Sequence, residues 1–366
     1  MPQGPVEGLG APAGTNVLGV SVGDRVTWVT TQFIPDYTVW VMPELLDRLR
    51  ARPRFGRDFP AGILARPGAS VGFGDDIGYT GGECAEGHGR GYWPPGTFCA
   101  AANVTDIDLP NEPVPGEGHC HTTLSAVGLF LNGVALFNWS DAQSYRNQGV
   151  WHNTAPVFEA YDADVCDGHA AEGMYHHHGY SQCLAERLGD RGDRHSPVWG
   201  YAADGYPIHG PWQAAGVRAR SCWLPRDYAA GSPTGCGRTG ARDCVLVDNA
   251  DPSKGTRPVT PAPDVGATGV RSMFSDNPVS LAVGAYYEDF YFDAACSASG
   301  PEALDSHNGH DHGGIGYHYH LTVDSALRPV FPYTFGPTYR GRVEGSGFTS
   351  CGAAPFGFAD RRAGRR

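Results

Sequence analysis

The sequence predicts a mainly β protein with irregular loops, few short helices and disulfide cross-links, and three observations lead to this fold class. Glycine (52) and proline (29) make up about a fifth of the 366 residues, above the roughly 12% of ordinary proteins, so the chain turns often. Ten cysteines lie singly along it. Few segments repeat apolar residues with helical spacing, while an apolar fraction of 41% is enough for a sizeable core.

Short β-branched and aromatic segments are the predicted strands. The chief candidates are residues 25–33, 37–41 and 285–292. Two further apolar runs, 127–131 and 134–137, flank Asn132-Gly133, a dipeptide typical of a tight hairpin. Residues 43–50 are the most helix-like stretch, with Pro43 at its start, and the proline-rich residues 250–269 are expected to form a surface excursion.

The cysteines and the charge indicate where the protein works. An even number of scattered cysteines favours disulfides in an oxidising compartment, with Cys84–Cys99 and Cys166–Cys183 as local pairs; free buried thiols in a cytosolic protein are the alternative. We therefore expect a secreted or periplasmic protein, although the first 14 residues lack the features of a signal peptide. A net charge of −12 argues against nucleic acid as a partner, and no apolar run reaches the roughly 20 residues of a membrane span.

Four pairs of histidines lie two residues apart, and they are the strongest functional signal. Chance placement of 15 histidines would give fewer than about one such pair. On a strand, residues i and i+2 point to the same face, about 6.5–7 Å apart, so two imidazoles can converge on one ion. The pairs are His119/His121, His176/His178, His310/His312 and His318/His320.

Imidazole ligands favour zinc or copper, whereas calcium prefers oxygen. A histidine-rich surface without metal is the alternative interpretation. Calcium is a weaker candidate at Asp162-x-Asp164-x-x-Asp167-Gly168, which departs from the EF-hand loop by one extra residue and contains Cys166. Cys120 lies between His119 and His121, and with an even cysteine count we expect it to be disulfide-bonded rather than a copper ligand.

A short internal repeat links two of the histidine pairs. Asp167-Gly168-His169 precedes Tyr175-His176-His177-His178, and Asp305-Ser306-His307 precedes Tyr317-His318-Tyr319-His320. The predicted metal ligands are therefore His119, His121, His169, His176, His178, His307, His318 and His320. Asp167 and Asp305 are predicted to accept the second N–H of a ligand histidine. We expect the two repeats to pair as neighbouring strands, about 4.8 Å apart, and to share one metal centre.

The order of motifs along the chain resembles that of the YHYH domain family. Tyr317-His318-Tyr319-His320 spells the name of the family, and the resemblance covers roughly residues 105–340. The matching segments are Asn132-Gly133-Val134, Trp151-His152, Glu159, Cys166-Asp167-Gly168-His169, Tyr175-His176-His177-His178, Asp204-Gly205-Tyr206-Pro207-Ile208 and Gly210-Pro211. His177 stands where the family has tyrosine in the first motif. The resemblance implies an extracytoplasmic location but supplies no reaction.

These observations give a domain organisation and two classes of function. We expect a β-rich extension (residues 1–104) packed on a YHYH-like domain (105–345), followed by a C-terminal tail (346–366). The leading hypothesis is a metalloenzyme, an oxidoreductase or hydrolase acting on a small molecule or a polymer, with His152, Glu159 and Asp204 as candidates for proton transfer. The rival is a non-catalytic extracellular metal-binding or adhesion module with closed coordination.

Overall fold

The computed structural model describes residues 16–80, 100–116, 120–273, 275–343, 347–348 and 351. It confirms a mainly β chain with short helices and disulfides. The described chain has these strands: β1 Val17–Val22, β2 Val26–Thr31, β3 Thr38–Trp40, β4 Ser70–Gly72, β5 Thr105–Pro110, β6 Ala126–Phe130, β7 Ala135–Phe137, β8 Ser140–Ser144, β9 His152–Thr154, β10 Gly168–Ala171, β11 Met174–His177, β12 Val198–Ala202, β13 Pro207–His209, β14 Trp212–Ala214, β15 Val217–Arg218, β16 Trp223–Pro225, β17 Arg242–Leu246, β18 Thr256–Ala262, β19 Phe290–Phe292, β20 Gly309–Asp311 and β21 Tyr317–His320. The α-helices are α1 Pro43–Arg50, α2 Phe55–Asp58, α3 Ala155–Phe158, α4 Gln182–Leu188 and α5 Ala294–Ser297.

An eight-stranded sheet forms the centre of the molecule, and its two halves have the same construction. Its strand order is β10-β11-β7-β6-β12-β13-β21-β20. Each half consists of a central hairpin, β6–β7 or β12–β13, and an outer hairpin, β10–β11 or β20–β21. The outer hairpin joins the central one through a parallel pairing, of β11 with β7 or of β21 with β13. The two halves meet where β6 pairs with β12 in antiparallel orientation. The sheet therefore has a pseudo-two-fold axis between these two strands.

Equivalent backbone contacts support this symmetry at the level of single residues. The Leu131 N–H donates to the Trp199 carbonyl at 2.8 Å, and the Ala203 N–H donates to the Val127 carbonyl at 2.9 Å. Ala203 follows Leu131 by 72 residues, and Trp199 follows Val127 by the same number. A two-fold rotation about the β6–β12 junction therefore exchanges the two bonds. The sheet thus confirms an internal pseudo-repeat, which extends well beyond the histidine motifs.

The hairpin turns also correspond. Asn132-Gly133 and Asp204-Gly205 each close a central hairpin, with φ of 82° and 85° at the glycines. This left-handed region is the one that glycine adopts without a steric penalty. The hairpin predicted from Asn132-Gly133 is confirmed, and the Asp204-Gly205 turn is its counterpart.

The N-terminal strands share the main core. Strands β1, β2 and β5 form a three-stranded sheet, and Val29, Phe33 and Ile107 are fully buried in the same hydrophobic cluster as Leu129 and Phe130. The predicted strands 25–33 and 37–41 appear as β2 and β3, and the predicted helix 43–50 is α1.

Two sequence expectations need correction. Residues 250–269 are not simply a surface excursion, because β18 pairs with β17 through most of its length. In 285–292 only β19 is extended, because Tyr287–Asp289 form a 3-10 turn in which the Asp289 carboxylate accepts from the backbone N–H groups of Gly284 and Tyr286.

Eight of the ten cysteines lie in the described chain, and all eight are paired. The predicted Cys166–Cys183 bridge is confirmed and joins the loop before β10 to α4. Cys120 is disulfide-bonded, as expected, and its partner is Cys351. The other two bridges are Cys222–Cys296 and Cys236–Cys244. The predicted pair Cys84–Cys99 lies outside the described residues.

None of the helices in the described ranges is long and apolar enough to cross a lipid bilayer.

We predict that the denatured, unreduced protein releases no titratable thiol, because eight cysteines are paired and the count of ten leaves Cys84 and Cys99 to pair with each other. A quantitative thiol assay in guanidinium chloride, with a reduced sample as the control, checks this. Three or more thiols per chain would contradict the disulfide assignment.

We also predict that Val29→Ala lowers the free energy of unfolding of the whole described core by about 2–3 kcal/mol, in a single transition, because a buried valine is lost from a cluster shared with β6. Calorimetry and denaturant titration followed by two probes measure this. Two separated transitions, of which only one shifts, would show that the N-terminal region folds independently.

Candidate metal centres

The outer hairpin β10–β11 places three histidines around one point at the first edge of the sheet. His169 lies directly opposite His176 in the register of the two strands, so their side chains project from the same face. His178 follows two residues after His176 and returns to that face. Glu159, at the C-terminal end of α3, reaches the same point. We call His169, His176, His178 and Glu159 the first cluster.

Four of the separations among the ligand atoms of the first cluster are short and similar. The Nε2 atom of His178 is 3.2 Å from that of His176 and 3.3 Å from that of His169. The Glu159 Oε2 atom lies 3.1 Å from His178 Nε2 and 3.3 Å from His169 Nε2. For metal–nitrogen bonds of 2.0–2.1 Å, a tetrahedron has edges of about 3.3 Å. The four short separations match such edges, whereas no ion pair joins His176 to Glu159 and the compact group of ligand atoms is that of the three histidines.

Backbone carbonyls fix the tautomers of two of these histidines. His176 Nδ1 lies 3.0 Å from the Met174 carbonyl and His178 Nδ1 lies 2.5 Å from the Asn138 carbonyl. Because a carbonyl can only accept, each Nδ1 must carry a proton, and in the tautomer with one proton the Nε2 atom exposes a lone pair. Two lone pairs that face each other across 3.2 Å repel unless a cation lies between them. This is the arrangement by which proteins prepare histidines for metal ligation.

The surroundings exclude water from the first cluster and shift the pKa values of its members in different directions. His176 is 1% exposed, and burial lowers its pKa well below the usual value; Phe137 stacks on its ring at 3.7 Å. Burial alone would lower the pKa of His169, but the Glu159 carboxylate beside it outweighs this effect and raises it. Burial would raise the pKa of Glu159, yet the neighbouring imidazoles hold it well below its ordinary value. The carboxylate is thus the negative charge around which the cluster is organised.

Asp162 is a second buried carboxylate on this side of the sheet. It is 3% exposed, and neither of its oxygens has a hydrogen-bond partner. Burial raises the pKa of Asp162 to about 6, with His169 opposing and Glu159 adding to the shift. It is therefore a proton-accepting group close to the first cluster.

The loop before β10 is held by Asp164. Its carboxylate accepts from the Cys166 N–H at 2.8 Å, the Gly168 N–H at 3.2 Å and the Tyr175 hydroxyl at 2.8 Å. Gly168 is required there because a Cβ atom would lie 2.3 Å from the Tyr175 hydroxyl. These bonds already occupy the Asp164 carboxylate, which argues against the weaker calcium interpretation of the Asp162-x-Asp164 stretch.

The same loop recurs before β20, and it corrects the repeat read from the sequence. Asp305 accepts from the His307 N–H at 2.9 Å, the Gly309 N–H at 3.1 Å and the Tyr317 hydroxyl at 3.0 Å. Asp305 is therefore the counterpart of Asp164, not of Asp167, and the earlier alignment was wrong by three residues. The true repeat is Asp-x-x-(Asp or Asn)-Gly-His followed by Tyr-His-x-His, and it makes His310 the counterpart of His169.

A second group of histidines occupies the equivalent edge. The ligand atoms of His195, His318 and His320 lie within 4.8 Å of one another. The His310 ring is 4.9 Å from that of His318 and 5.1 Å from that of His320, and the His209 ring is 4.7 Å from that of His318. We call these five histidines the second cluster. Burial lowers the pKa of His209 and of His310 to about 3 and that of His318 to about 4, so these imidazoles are neutral at physiological pH.

The expected shared metal centre is wrong. Strands β11 and β21 are not neighbours but stand second and seventh in the sheet. Five strand spacings separate them by about 24 Å along the sheet. The two similar strands do not pair because each is added to the outside of its own central hairpin. The result is two separate clusters, one at each edge.

The structure leaves several predicted ligands outside the clusters. The His307 Nδ1 atom lies 3.0 Å from the Thr338 carbonyl, and His307 belongs to neither cluster. His121 pairs through its backbone with Thr338 and is likewise in neither cluster, while His119 lies outside the described residues. His307 was selected because of the misaligned repeat.

Asp167 and Asp305 do not have the role expected of them. The second N–H of His176 and of His178 goes to a backbone carbonyl, and the Asp305 carboxylate serves the loop and Tyr317. Asp167 contributes its own carbonyl to His177, the histidine on the opposite face. Asp167 has a φ of 61°, and its counterpart Asn308 has a φ of 66°. This position of the repeat therefore serves the left-handed backbone conformation and not the orientation of a ligand.

Of the three proton-transfer candidates, only Glu159 lies in a cluster. His152 is buried with Nδ1 2.6 Å from Glu288 Oε1. Asp204 is buried and accepts from the Tyr319 hydroxyl at 2.6 Å and the Gly341 N–H at 2.8 Å. Because Tyr319 alternates with His318 and His320 along β21, this bond lies on the opposite face. Asp204 is therefore a turn residue.

Sequence reasoning missed three members of the second cluster. His310 was recognised only as half of a His-x-His pair, and correct alignment of the Gly-His dipeptides would have found it. His209 and His195 are isolated in the sequence, and long-range pairing alone brings them in. Glu159 was predicted to transfer protons, but its Oε2 atom lies 3.1 Å from His178 Nε2 and 3.3 Å from His169 Nε2, where it could serve as a metal ligand.

We predict that Asp164→Ala lowers the free energy of unfolding by about 2–4 kcal/mol, because three donors, two of them backbone N–H groups, lose their acceptor in a buried loop. Tyr175→Phe, which removes one donor and leaves the loop bonds intact, should cost about 1 kcal/mol. Denaturant titration measures both. Equal losses in the two variants would contradict the role given to the Asp164 loop.

The model of the YHYH protein family matches residues 106–332, more than half of the 366-residue chain. No curated protein and no solved structure matches the chain. The matched range begins in β5 and includes both duplicated halves of the sheet with both Tyr-His-x-His strands. The chain belongs to the YHYH family.

Proposed function

We propose that the chain is an exported protein that binds a transition-metal ion, zinc or copper, through the first cluster. The single observation that carries this proposal is the pair of Nε2 atoms of His176 and His178, 3.2 Å apart, whose Nδ1 protons are both committed to carbonyls. A cation between them would turn a repulsive contact into two coordination bonds.

Burial argues against a histidine-rich surface as the explanation. His169 and His176 are 7% and 1% exposed, and surface histidines would keep both ring nitrogens hydrated. The buried Oε2 atom of Glu159 lies 3.1 Å from His178 Nε2 and 3.3 Å from His169 Nε2. Buried carboxylates are normally paired or coordinate a metal, so a metal would satisfy this oxygen too.

The donor set supports zinc or copper rather than calcium or magnesium. Three imidazole nitrogens and one carboxylate oxygen are typical ligands of zinc and copper, whereas calcium takes six to eight oxygens. The four separations of 3.1–3.3 Å in the first cluster are close to the edges of a tetrahedron, and they favour zinc there because zinc adopts this geometry in most of its four-ligand protein sites.

The number of protein ligands favours binding over catalysis. Catalytic zinc sites keep an open position beside three protein ligands, and sites with four protein ligands are closed. Glu159, as a fourth ligand from the His169 and His178 side, would close the site, and His152 and Asp204 take no part in it. On these grounds we favour the non-catalytic metal-binding alternative over the metalloenzyme. A hydrolase is the second candidate on one observation, the unpartnered carboxylate of Asp162 near His169, which could accept a proton from a metal-activated water.

The disulfides support export. Four bridges in the described chain are typical of an oxidising compartment, since cytosolic reductants keep thiols reduced. Metal ligation in such a compartment draws on ions outside the cytoplasm.

We predict that the metal-free protein takes up zinc with one equivalent bound at the first cluster, and that His178→Ala abolishes this equivalent while leaving any ion at the second cluster in place. Isothermal titration and elemental analysis after desalting measure the stoichiometry. His307→Ala is the matched control and should retain the wild-type stoichiometry, because His307 lies in neither cluster.

A His178→Ala protein that binds as much zinc as wild type, with unchanged affinity, would overturn the proposal. Loss of all bound metal in this variant, with the fold intact by circular dichroism, would instead restore the shared centre that the sheet order contradicts. Hydrolytic turnover that depends on zinc and is lost in Asp162→Asn would favour the hydrolase.

A further inference from the structure

We propose that the second cluster is a separate site for copper, formed by the imidazoles of His195, His209, His310, His318 and His320. This inference goes beyond the proposed function, which concerns the first cluster alone. Three of its members, His195, His209 and His310, come from three different places in the chain and none of them was a predicted ligand.

The orientation of these imidazoles is the first step. The Nδ1 atom of His318 lies 2.7 Å from the Gly316 carbonyl and that of His320 lies 2.6 Å from the Gly210 carbonyl. The Nδ1 atoms of His195 and His209 each lie 2.8 Å from the Ser196 carbonyl. Each Nδ1 therefore carries the proton, and each Nε2 of a neutral ring has its lone pair free.

The second step is the state of the Nε2 atoms. All five of them are buried, and none has a hydrogen-bond partner. His318 and His320 are fully buried and His209 is 5% exposed. Buried polar atoms in proteins nearly always have a partner, and a group of five without one requires an explanation. A metal ion supplies it, because a single cation can accept the lone pairs of all the rings that reach it.

The pseudo-two-fold axis shows what distinguishes this site from the first. His310, His318 and His320 are the counterparts of His169, His176 and His178, with the same Nδ1 contacts on the two Tyr-His-x-His histidines. The remaining positions differ. His209 pairs with His320 at the position where β7 has Phe137, because Ile208 lies opposite Tyr319 as Leu136 lies opposite His177.

The ligand sets therefore differ in charge and in number. The first cluster combines three imidazoles with a carboxylate, whereas the ligand atoms grouped in the second are imidazole nitrogens alone. His195 is a further donor, from the loop before β12, and its ring lies 5.3 Å from those of both His318 and His320.

A donor set made of nitrogen atoms alone favours copper. Affinity for nitrogen ligands rises along the first-row divalent metals to a maximum at Cu²⁺ and falls again at Zn²⁺. Tetragonal nitrogen coordination is typical of Cu²⁺, while zinc in closed sites uses four ligands in a tetrahedron. The ligand nitrogens of His195, His318 and His320 lie within 4.8 Å of one another, and the adjoining rings of His209 and His310 offer further nitrogen donors to a tetragonal ion. The first cluster, with its carboxylate, suits zinc better.

The test is a competition on the full-length, disulfide-bonded protein. Metal-free protein is incubated with two equivalents of Zn²⁺ and one of Cu²⁺, desalted and analysed for both metals, and the copper is examined by electron paramagnetic resonance. We expect one bound copper with hyperfine splitting from several nitrogens. His318→Ala should lose it, and His178→Ala should keep it while losing zinc.

His209→Phe is the sharpest variant, because phenylalanine is the residue that the equivalent position of the first half accommodates. We expect it to weaken copper binding by about tenfold or more, measured against a chelator of known affinity, with zinc at the first cluster unchanged. His195→Ala, in a loop and only partly buried, gives the same comparison if His209→Phe disturbs the sheet.

Four outcomes would overturn the proposal. Copper lost in His178→Ala and kept in His318→Ala would place it at the first cluster, and zinc bound at the second cluster in its place would refute the selectivity. Absence of any metal at the second cluster in folded protein would refute the site. Wild-type copper affinity in both His209→Phe and His195→Ala would remove these residues as ligands. Each of these results leaves zinc binding at the first cluster, and with it the proposed function, as a separate question.

Discussion

The hydrogen bond from an imidazole Nδ1 to a backbone carbonyl is the interaction on which both histidine clusters depend. Six such contacts direct the rings of His176, His178, His195, His209, His318 and His320. Because the carbonyls belong to the backbone of the sheet and its turns, these hydrogen bonds hold the rings in fixed orientations. A carboxylate in this role would add a negative charge to each ligand and make it more basic. The carbonyls instead give neutral ligands, and only Glu159 brings a charge to the first cluster.

The duplicated sheet explains how one set of motifs builds two histidine clusters with different members. Each half builds the same frame, in which an aspartate holds a loop, a tyrosine hydroxyl binds that aspartate, and a hairpin carries three histidines. The residues that differ lie outside the frame, where Phe137 corresponds to His209. A change at such a position alters the ligand set without disturbing the frame. The difference between Phe137 and His209 is one such change.

The sequence predicted local features well and long-range assembly poorly. The Asn132-Gly133 hairpin, the helix after Pro43 and the Cys166–Cys183 bridge depend on neighbouring residues, and all three are confirmed. Whether two strands are neighbours depends on the order in a sheet, which no local pattern contains. For this reason the prediction that the two Tyr-His-x-His strands pair was wrong. The three-residue error in the repeat arose because Asp167 and Asp305 both precede a histidine by two residues, although Asp164 is the residue that shares the hydrogen bonds of Asp305.

The antiparallel junction of β6 with β12 has a consequence for the history of the fold. Two equivalent strands that pair about a two-fold axis form the isologous contact of a symmetric dimer. Half of this sheet on its own would expose β6 as an unpaired edge, and such an edge binds another copy readily. The junction thus has the form of a subunit interface that a covalent connection has made permanent. After fusion the two halves can differ in sequence, because a substitution in one half no longer appears in the other. A single-gene homodimer must carry the same site twice, whereas this chain is free to carry two different ones.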